Sequence, residues 1–371
     1  MISARVCLVS YEFPPDVGGL GKSTARIAAL LADRYDIEVV ALTRSIPPGQ
    51  IRLEREGGIS VRRVGKPDSY SEIFTLLRSL VSILDNDHQF DLFHGIFLPA
   101  ADAFIDIAGT RPTIASIRGN DAVKWLARPE RLSVVKRVVS KATCVTSVCA
   151  DLLDRVVAVC NICGYVEVIP NSINVDQSAG VWSHESSFRG CIGTVANFRL
   201  KKNTEFLLRA FARLPIEARS RLLLCGGFEL EPSLEQRLRL VADELGIADQ
   251  VVFTGSVKPG IEVCRLLKTM HIFAITSDHD GLPNALLESA AIGVPIVTTN
   301  VGGMRDLMRN RVHGLLVEPG NVAEFSDALL QILCSDELAA TLSTGALALA
   351  TSLAPQEERS RWSALYDRLL A

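Results

Sequence analysis

The 371-residue chain predicts an α/β protein of two doubly wound, parallel-sheet domains. Three observations carry this. Short β-branched runs alternate with longer amphipathic ones along most of the sequence. The short runs are apolar throughout, which suits strands covered on both faces. The rhythm breaks in a polar stretch, Gln177 to Gly190, and then starts again. Two successive β/α series in a chain too long for one ordinary core fold as two domains.

In the first series, Val6–Ser10, Ile37–Leu42, Ile59–Val64, Asp91–His94, Thr113–Ile117, Thr143–Thr146 and Val166–Ile169 read as strands. Helical patterns lie between most of them, such as Leu20–Ala32, Ile73–Leu84 and Ala150–Val159. The second series has strands at Cys191–Val195, Leu222–Cys225, Val251–Thr254, Ile272–Thr276 and Ile296–Thr299. Its helices are Glu205–Arg213, Leu234–Leu245, Ile261–Met270 and Asn284–Ile292, and the closing stretch Gln356–Leu370 is amphipathic and helical. The expected domains are residues 1–180 and 188–354, followed by a terminal helix at 355–371.

Charge excludes some functions. Residues 1–176 hold 20 basic and 20 acidic side chains, and 177–371 hold 19 and 22. Neither half is a polycation, so no nucleic-acid partner is expected. No apolar run stands out at the ~18 residues a membrane span needs. The chain opens with Arg5 and a strand where a signal peptide would be apolar. Nine cysteines, an odd number scattered through apolar segments, suggest a reducing compartment, so the expected location is cytoplasmic. Cys160-Asn-Ile-Cys163 has no second pair and reads as packing.

Three segments carry chemistry. Asp280-Gly-Leu-Pro-Asn-Ala-Leu-Leu-Glu288 places an acid before a glycine–proline turn and a second acid one turn into the helix that follows. Pro283 suits the first helical position. The unpaired N–H groups and dipole of such a helix start attract anions. The segment reads as a phosphate socket flanked by two carboxylates for sugar hydroxyls, or more plainly as a helix start with two solvated acids. Thr194-Val-Ala-Asn-Phe-Arg-Leu-Lys-Lys-Asn203 leads from a strand to a helix. Arg199 as a fork and Lys202 as a mobile charge can face a diphosphate, unless the turn is simply solvated. Phe13-Pro-Pro-Asp-Val-Gly-Gly-Leu-Gly-Lys-Ser23 lets backbone approach a phosphate at a helix start. Its Gly21-Lys22-Ser23 fits the end of a P-loop, but Asp16 stands where the first glycine is needed. A deviant partition-ATPase loop comes closer, with Val17 at the signature lysine position.

Together these segments resemble retaining glycosyltransferase family 4, of the GT-B fold with two Rossmann-like domains. Further pieces of that pattern follow in order: Val168-Ile-Pro-Asn-Ser-Ile-Asn174, Leu224-Cys-Gly-Gly227, Val252-Phe-Thr-Gly-Ser256, Gly293-Val-Pro-Ile-Val297, Thr299-Asn-Val-Gly-Gly303 and Gly314-Leu-Leu-Val-Glu-Pro-Gly320. The match covers nearly the whole chain and is densest in 190–320. Three positions depart from the pattern. Asp280 replaces the first Glu of Glu-x7-Glu. Asn197 holds the usual arginine position, the arginine moving to Arg199 as in a common variant. Arg118 stands where the N-domain loop often carries a sugar-contacting His.

The resemblance implies a donor held mainly by the C-terminal domain, an acceptor held mainly by the N-terminal one, and a final helix that crosses back. It implies that Glu288 takes the ribose hydroxyls. Asp280 and the backbone of Gly281, Leu282, Pro283 and Asn284 meet the donor sugar and phosphates, with Val257 in the same binding set. Arg199 and Lys202 neutralise the leaving diphosphate, and Gly18 and Gly19 close over the donor. The catalytic set is then Arg199, Lys202, Asp280 and Arg118, with no cofactor and no metal.

His94 ends a strand and lines either the acceptor site or the core, and His279 reads as a loop residue. Arg118–Lys141 holds seven basic and two acidic residues around Trp125, Leu126 and Val134–Val135. It suits anionic lipid, or is a solvated helix face. The expected activity is retaining, metal-independent transfer of a hexose from a nucleoside-diphosphate sugar to a hydroxyl acceptor, a surface glycan or glycolipid intermediate. A GT-B nucleotide-sugar epimerase, a silent sugar-nucleotide binder and a P-loop ATPase built on Gly18–Ser23 remain as alternatives.

Overall fold

A computed structural model of the chain describes residues 4–16, 18–173, 181–183, 188–258 and 260–371. It divides into two compact units, Met1–Asn171 with Pro355–Ala371, and Ser172–Ala354. Most of the polar break expected between the domains, and Val17 and Asn174, lie outside the described residues.

The first unit runs β1 (Arg5–Ser10), α1 (Gly19–Leu31), β2 (Asp36–Thr43), β3 (Ile51–Glu56), β4 (Ile59–Gly65), α2 (Tyr70–His88), β5 (Leu92–Ile96), β6 (Thr113–Ile117), α3 (Pro129–Lys141), β7 (Cys144–Ser147), α4 (Ala150–Val157) and β8 (Tyr165–Val168). The sheet order is β3-β4-β2-β1-β5-β6-β7-β8. All pairs are parallel except the β3–β4 hairpin. The sequence reading missed β3 because Ile51-Arg-Leu-Glu-Arg-Glu56 alternates as a solvated edge strand, with Ile51 and Leu53 about half exposed. Gly57-Gly58, both left-handed with φ of 55° and 86°, make the turn.

The second unit runs β9 (Cys191–Val195), α5 (Thr204–Ala212), β10 (Arg221–Cys225), α6 (Pro232–Glu244), β11 (Val251–Gly255), α7 (Ile261–Thr269), β12 (Ile272–Ile275), α8 (Asn284–Ile292), β13 (Ile296–Thr299), α9 (Gly302–Leu307), β14 (Leu315–Val317), α10 (Val322–Leu333) and α11 (Asp336–Ser352). Its parallel sheet has the order β11-β10-β9-β12-β13-β14. The three-residue β14 was too short to stand out in the sequence.

In each sheet the strand order reverses once, between β1 and β5 and between β9 and β12. The connections on either side turn away from each other there, opening a crevice at the carboxyl ends where ligands of such sheets bind.

The last helix, α12 (Pro355–Leu370), belongs to the first unit. Its Trp362, Leu365 and Tyr366 are fully buried in a cluster with Leu8, Ile27 and Val39 of β1, α1 and β2. Glu358 accepts from Arg26 Nε at 2.8 Å and from Trp362 Nε1 at 3.2 Å. Tyr366 meets His94 Nδ1 at 2.8 Å, His94 Nε2 meets Ser116 Oγ at 2.7 Å, and Ser116 meets Thr146 at 2.6 Å. His94 is therefore a core residue and not an acceptor-site one. Burial, and then the Arg118 charge, push its pKa well below the ordinary histidine value, so it stays neutral.

Contrary to the sequence reading, Asp336–Leu370 contains a window long and apolar enough to cross a membrane, with mean hydropathy 1.3. In the fold this run breaks after Ser352 into α11 and α12. Its Leu342, Leu349, Trp362 and Leu365 are core side chains.

Replacing Trp362 with alanine should destabilise the first unit by about 3–5 kcal/mol, the cost of emptying a buried aromatic site. Hydrogen exchange read by mass spectrometry should show protection falling in β1, β2 and β5 while β9, β10 and β12 keep theirs. Equal loss in both sheets contradicts this placement.

Candidate functional site

The two motifs of the second unit meet at its switch point. One leaves the carboxyl end of β9 and the other the carboxyl end of β12. After β9, Ala196 N–H donates to Cys225 O at 3.0 Å, and Phe198 N–H to Gly227 O at 2.9 Å. The Phe198 ring is buried and stacks on Phe228 at 4.6 Å between centroids. With Phe198 pinned, the chain turns through a 3₁₀ turn, Leu200–Lys202, and Asn203 in the left-handed region, into α5.

The loop after β12 is tied to that turn. Asp278 N–H donates to Lys201 O at 2.9 Å, Thr276 Oγ1 donates to Lys202 O at 3.0 Å, and Asn203 Nδ2 donates to Asp278 Oδ1 at 2.7 Å. Glycines support it from below. Gly303 N–H donates to Gly281 O at 2.6 Å, and a Cβ on Gly302, whose φ is +51°, would collide with the Asp280 carbonyl oxygen. The Thr299–Gly303 motif thus acquires a physical reason.

At the centre, Asp280 accepts from Lys202 Nζ at 2.5 Å and from Lys201 Nζ at 3.4 Å. Gly281 N–H and Ser277 Oγ complete its shell at 3.1 and 3.4 Å. Burial raises the Asp280 pKa, but Lys202 and Lys201 outweigh it and hold the carboxyl well below the ordinary value of 3.8. Burial pushes the Lys201 ammonium down, against the pull of Asp280. Two ammoniums share one carboxylate, so the trio is net positive. The sequence reading gave Lys202 and Asp280 separate tasks and overlooked Lys201; the Lys201-Lys202 doublet was the available signal.

Helix α8 begins at Asn284, with Pro283 as its N-cap and no side chain capping it. Pro283 therefore stands one residue ahead of the helical position expected for it. Every residue of α8 is buried except Asn284, Ala285 and Glu288. These form one strip, because positions four apart share a face. A small cleft, lined by Thr194, Val195, Ala196, Lys202, Ser277 and Pro283 among others, separates the β9 turn from this helix start. Gly281, Leu282 and Pro283 are buried, and Arg199 is half-buried on the turn. Val257 lies apart from them, half-buried just beyond the carboxyl end of β11. An uncapped helix start beside surplus positive charge is an anion site, and a half-exposed carboxylate one turn along can accept hydroxyls.

The sequence reading held that no Asp-x-Asp is present, but there are two such triplets, Asp85-Asn-Asp87 and Asp278-His-Asp280. Asp85 is held by Arg111 at 2.6 and 2.7 Å. Asp280 is held by the two lysines.

In the first unit, Gly18 and Gly19 lie where the loop after β1 enters α1, beside Glu12. Ser23 and Thr24 point into the fold, Thr24 meeting Ser10 at 2.8 Å. Arg118 follows β6. Its Nη1 donates to Asn171 Oδ1 at 3.1 Å, and its guanidinium lies 5.7 Å over the Trp362 ring. The basic stretch is mostly engaged internally. Arg131 sits over Tyr70 and Trp125, Arg137 pairs with Asp102 and Asp106, and Lys141 pairs with Asp106. Trp125 and Val135 are buried, whereas Lys124, Arg128 and Lys136 are exposed.

Two protein-family models match the chain. Glycosyltransferase Family 4 matches residues 17–177 and Glycosyl transferases group 1 matches residues 187–347. An uncharacterized glycosyltransferase of Methanocaldococcus jannaschii is 24% identical over 85% of this chain and 86% of its own. A GDP-mannose-dependent alpha-(1-6)-phosphatidylinositol monomannoside mannosyltransferase of Mycobacterium tuberculosis is 24% identical over 91% of each chain. Among solved structures, sucrose-phosphate synthase from Thermosynechococcus elongatus superposes with a TM-score of 0.84, at 17% identity over 99% of each chain. HepE of Anabaena, in complex with UDP and glucose, superposes at 0.80, with 16% identity over 98% of this chain and 100% of its own. The two family models account for both β/α series, the second of which the ATPase alternative left without a role. With two doubly wound units and family models along most of its length, the chain belongs to the family 4 glycosyltransferases of the GT-B fold.

Proposed function

We propose that the protein is a retaining, metal-independent glycosyltransferase. It moves a hexose from a nucleoside-diphosphate sugar to a hydroxyl on a surface glycan or glycolipid intermediate, in the cytoplasm. The observation that carries this is the Lys201–Asp280–Lys202 trio beside the uncapped start of α8, at the point where the sheet order reverses. Relatives and neighbours described as using GDP-mannose or binding UDP and glucose support the donor class.

In this reading the diphosphate lies against the start of α8 and is neutralised by Arg199 and Lys202. Breaking the anomeric C–O bond leaves the electron pair on the β-phosphate, and cations already in place lower the barrier without a metal. Asp280 fixes both lysines and presents its carboxylate beside the sugar, whose anomeric carbon gains positive charge. The leaving phosphate takes the acceptor proton on the same face, so no protein nucleophile is needed. Glu288, on the unburied strip of α8, accepts the ribose hydroxyls. Val257 contributes to the nucleotide end.

The Asp280 carboxylate stays ionised across the working range. Asp280 has a folded pKa below its ordinary 3.8. The stability from its pairing is therefore complete above that value and is lost only as pH falls through the depressed one.

Alanine at Arg199 and Lys202 together should weaken nucleoside-diphosphate binding at least tenfold, since charge-assisted bonds contribute about 1.5–3 kcal/mol each. Titration calorimetry checks this, and unchanged affinity would place the diphosphate elsewhere. Transfer should persist in EDTA, and an ATPase activity abolished by Lys22→Ala would overturn the reading.

The two acids should separate. Glu288→Gln should weaken free nucleoside diphosphate and donor alike, because both carry the ribose. Asp280→Asn should slow single-turnover transfer at least tenfold, about 1.4 kcal/mol of barrier, at every pH between 5 and 9, with a smaller loss of nucleotide affinity. Equal nucleotide losses in the two variants, or an acid limb near neutrality that Asp280→Asn removes, would contradict these roles.

A further inference from the structure

Beside the β1–β5 crevice, the first unit holds a cationic group whose best hydrogen-bonding edge has no partner among the described residues. Arg118 leaves the carboxyl end of β6, the neighbour of β5. Its Nε and Nη2 are buried and meet no acceptor among the described residues. These two nitrogens form the side-on fork that matches a carboxylate or a phosphate with two parallel bonds. Arg26 shows the fork in use, since its Nε and Nη2 hold the Glu358 carboxylate at 2.8 and 3.4 Å.

The nearby acids Asp121 and Glu358 favour the Arg118 charge through space, but their hydrogen bonds do not go to its fork. Asp121 accepts from the backbone N–H groups of Leu98, Arg118, Gly119 and Ala122. Glu358 serves Arg26 and Trp362. The acceptor left to Arg118 is the neutral amide oxygen of Asn171, which Arg26 also shares at 2.6 Å. Burial, then the charge of Arg26, push the Arg118 pKa down to about 10. A guanidinium out of water with its fork unused costs stability unless a ligand completes it.

We propose that the Nε–Nη2 fork of Arg118 receives a carboxylate or phosphate group borne by one of the sugar substrates. The identification of that ligand as a sugar rests on the transfer reading above; the need for an anion rests on Arg118 alone. A uronate on the donor and a phosphate on the acceptor present the same chemistry to the fork.

Calorimetry with matched probes tests the proposal. UDP-glucuronate is compared with UDP-glucose and glucose 6-phosphate with glucose, with inorganic phosphate titrated alone, against wild type, Arg118→Gln and Arg118→Lys. Wild type should prefer the anionic member of at least one pair tenfold or more. Arg118→Gln should lose that preference, and Arg118→Lys, with charge but no fork, should keep only part of it. UDP itself, held by the other unit, should bind all three proteins within about twofold. A preference seen in the nucleotide pair assigns the anion to the donor, and one confined to the sugar-phosphate pair assigns it to the acceptor. If Arg118→Gln lacks a cooperative melt, wild type and Arg118→Lys decide. Absence of any anion preference in wild type, or its survival in the variants, overturns the proposal. Failure of UDP, GDP, ADP and dTDP to bind wild type would instead sink the sugar-transfer reading, leaving glucose 6-phosphate and phosphate to judge Arg118.

Discussion

A single carboxylate drawn out of water between two lysines organises the second unit. Asp280 alone in that position would carry a large desolvation penalty, and Lys201 alone likewise. Each makes the other tolerable, and the pairing pulls the turn after β9 onto the loop after β12. The remaining geometry serves this contact. Phe198 fixes one loop, Gly302 and Gly303 fix the other, and three hydrogen bonds lace the two together. In the proposed reaction these cations, already tied in place, would need no rearrangement to meet developing charge.

The first unit follows a different plan. Its polar interior is a chain of neutral groups, Tyr366, His94, Ser116 and Thr146, threaded through an apolar core. A neutral imidazole can donate from one ring nitrogen and accept at the other, which lets one buried residue join a helix to two strands. Arg26 and Arg118 stand at the end of this chain, one fully paired through its fork and the other not. The contrast between two arginines that share one Asn171 oxygen makes the unused fork informative.

Much of this was legible in the sequence, for reasons that can be named. Parallel strands buried on both faces leave uninterrupted apolar runs, so β1, β5, β6, β9 and β12 read directly. The starts of α8 and α5 read because helix starts have local signatures. What did not read depended on contacts distant in sequence. Beyond the Lys201-Lys202 doublet, nothing around Lys201 distinguishes it from a solvated lysine until Asp280 arrives from 79 positions away. His94 could not be placed in the core until Tyr366 came back across 272 positions. The edge strand β3 was hidden because its pattern is that of a solvated surface, which is what an edge strand requires.

Membership of α12 in the first unit also orders events in time. The second unit, Ser172–Ala354, is an insertion within the first, and the segments that enter and leave it are joined where Ile173 N–H donates to Leu353 O at 3.0 Å. A ribosome delivers residues 1–171 long before it delivers Trp362, Leu365 and Tyr366, which fill the heart of that core. During synthesis the inserted unit has its whole sequence available first, while the unit that began earlier waits with an open apolar seam. Domains fold as units when their chain is complete. Chain order thus favours completing the middle unit first, with the α1 and β1–β2 surface left uncovered until Pro355–Ala371 emerge to pack on it.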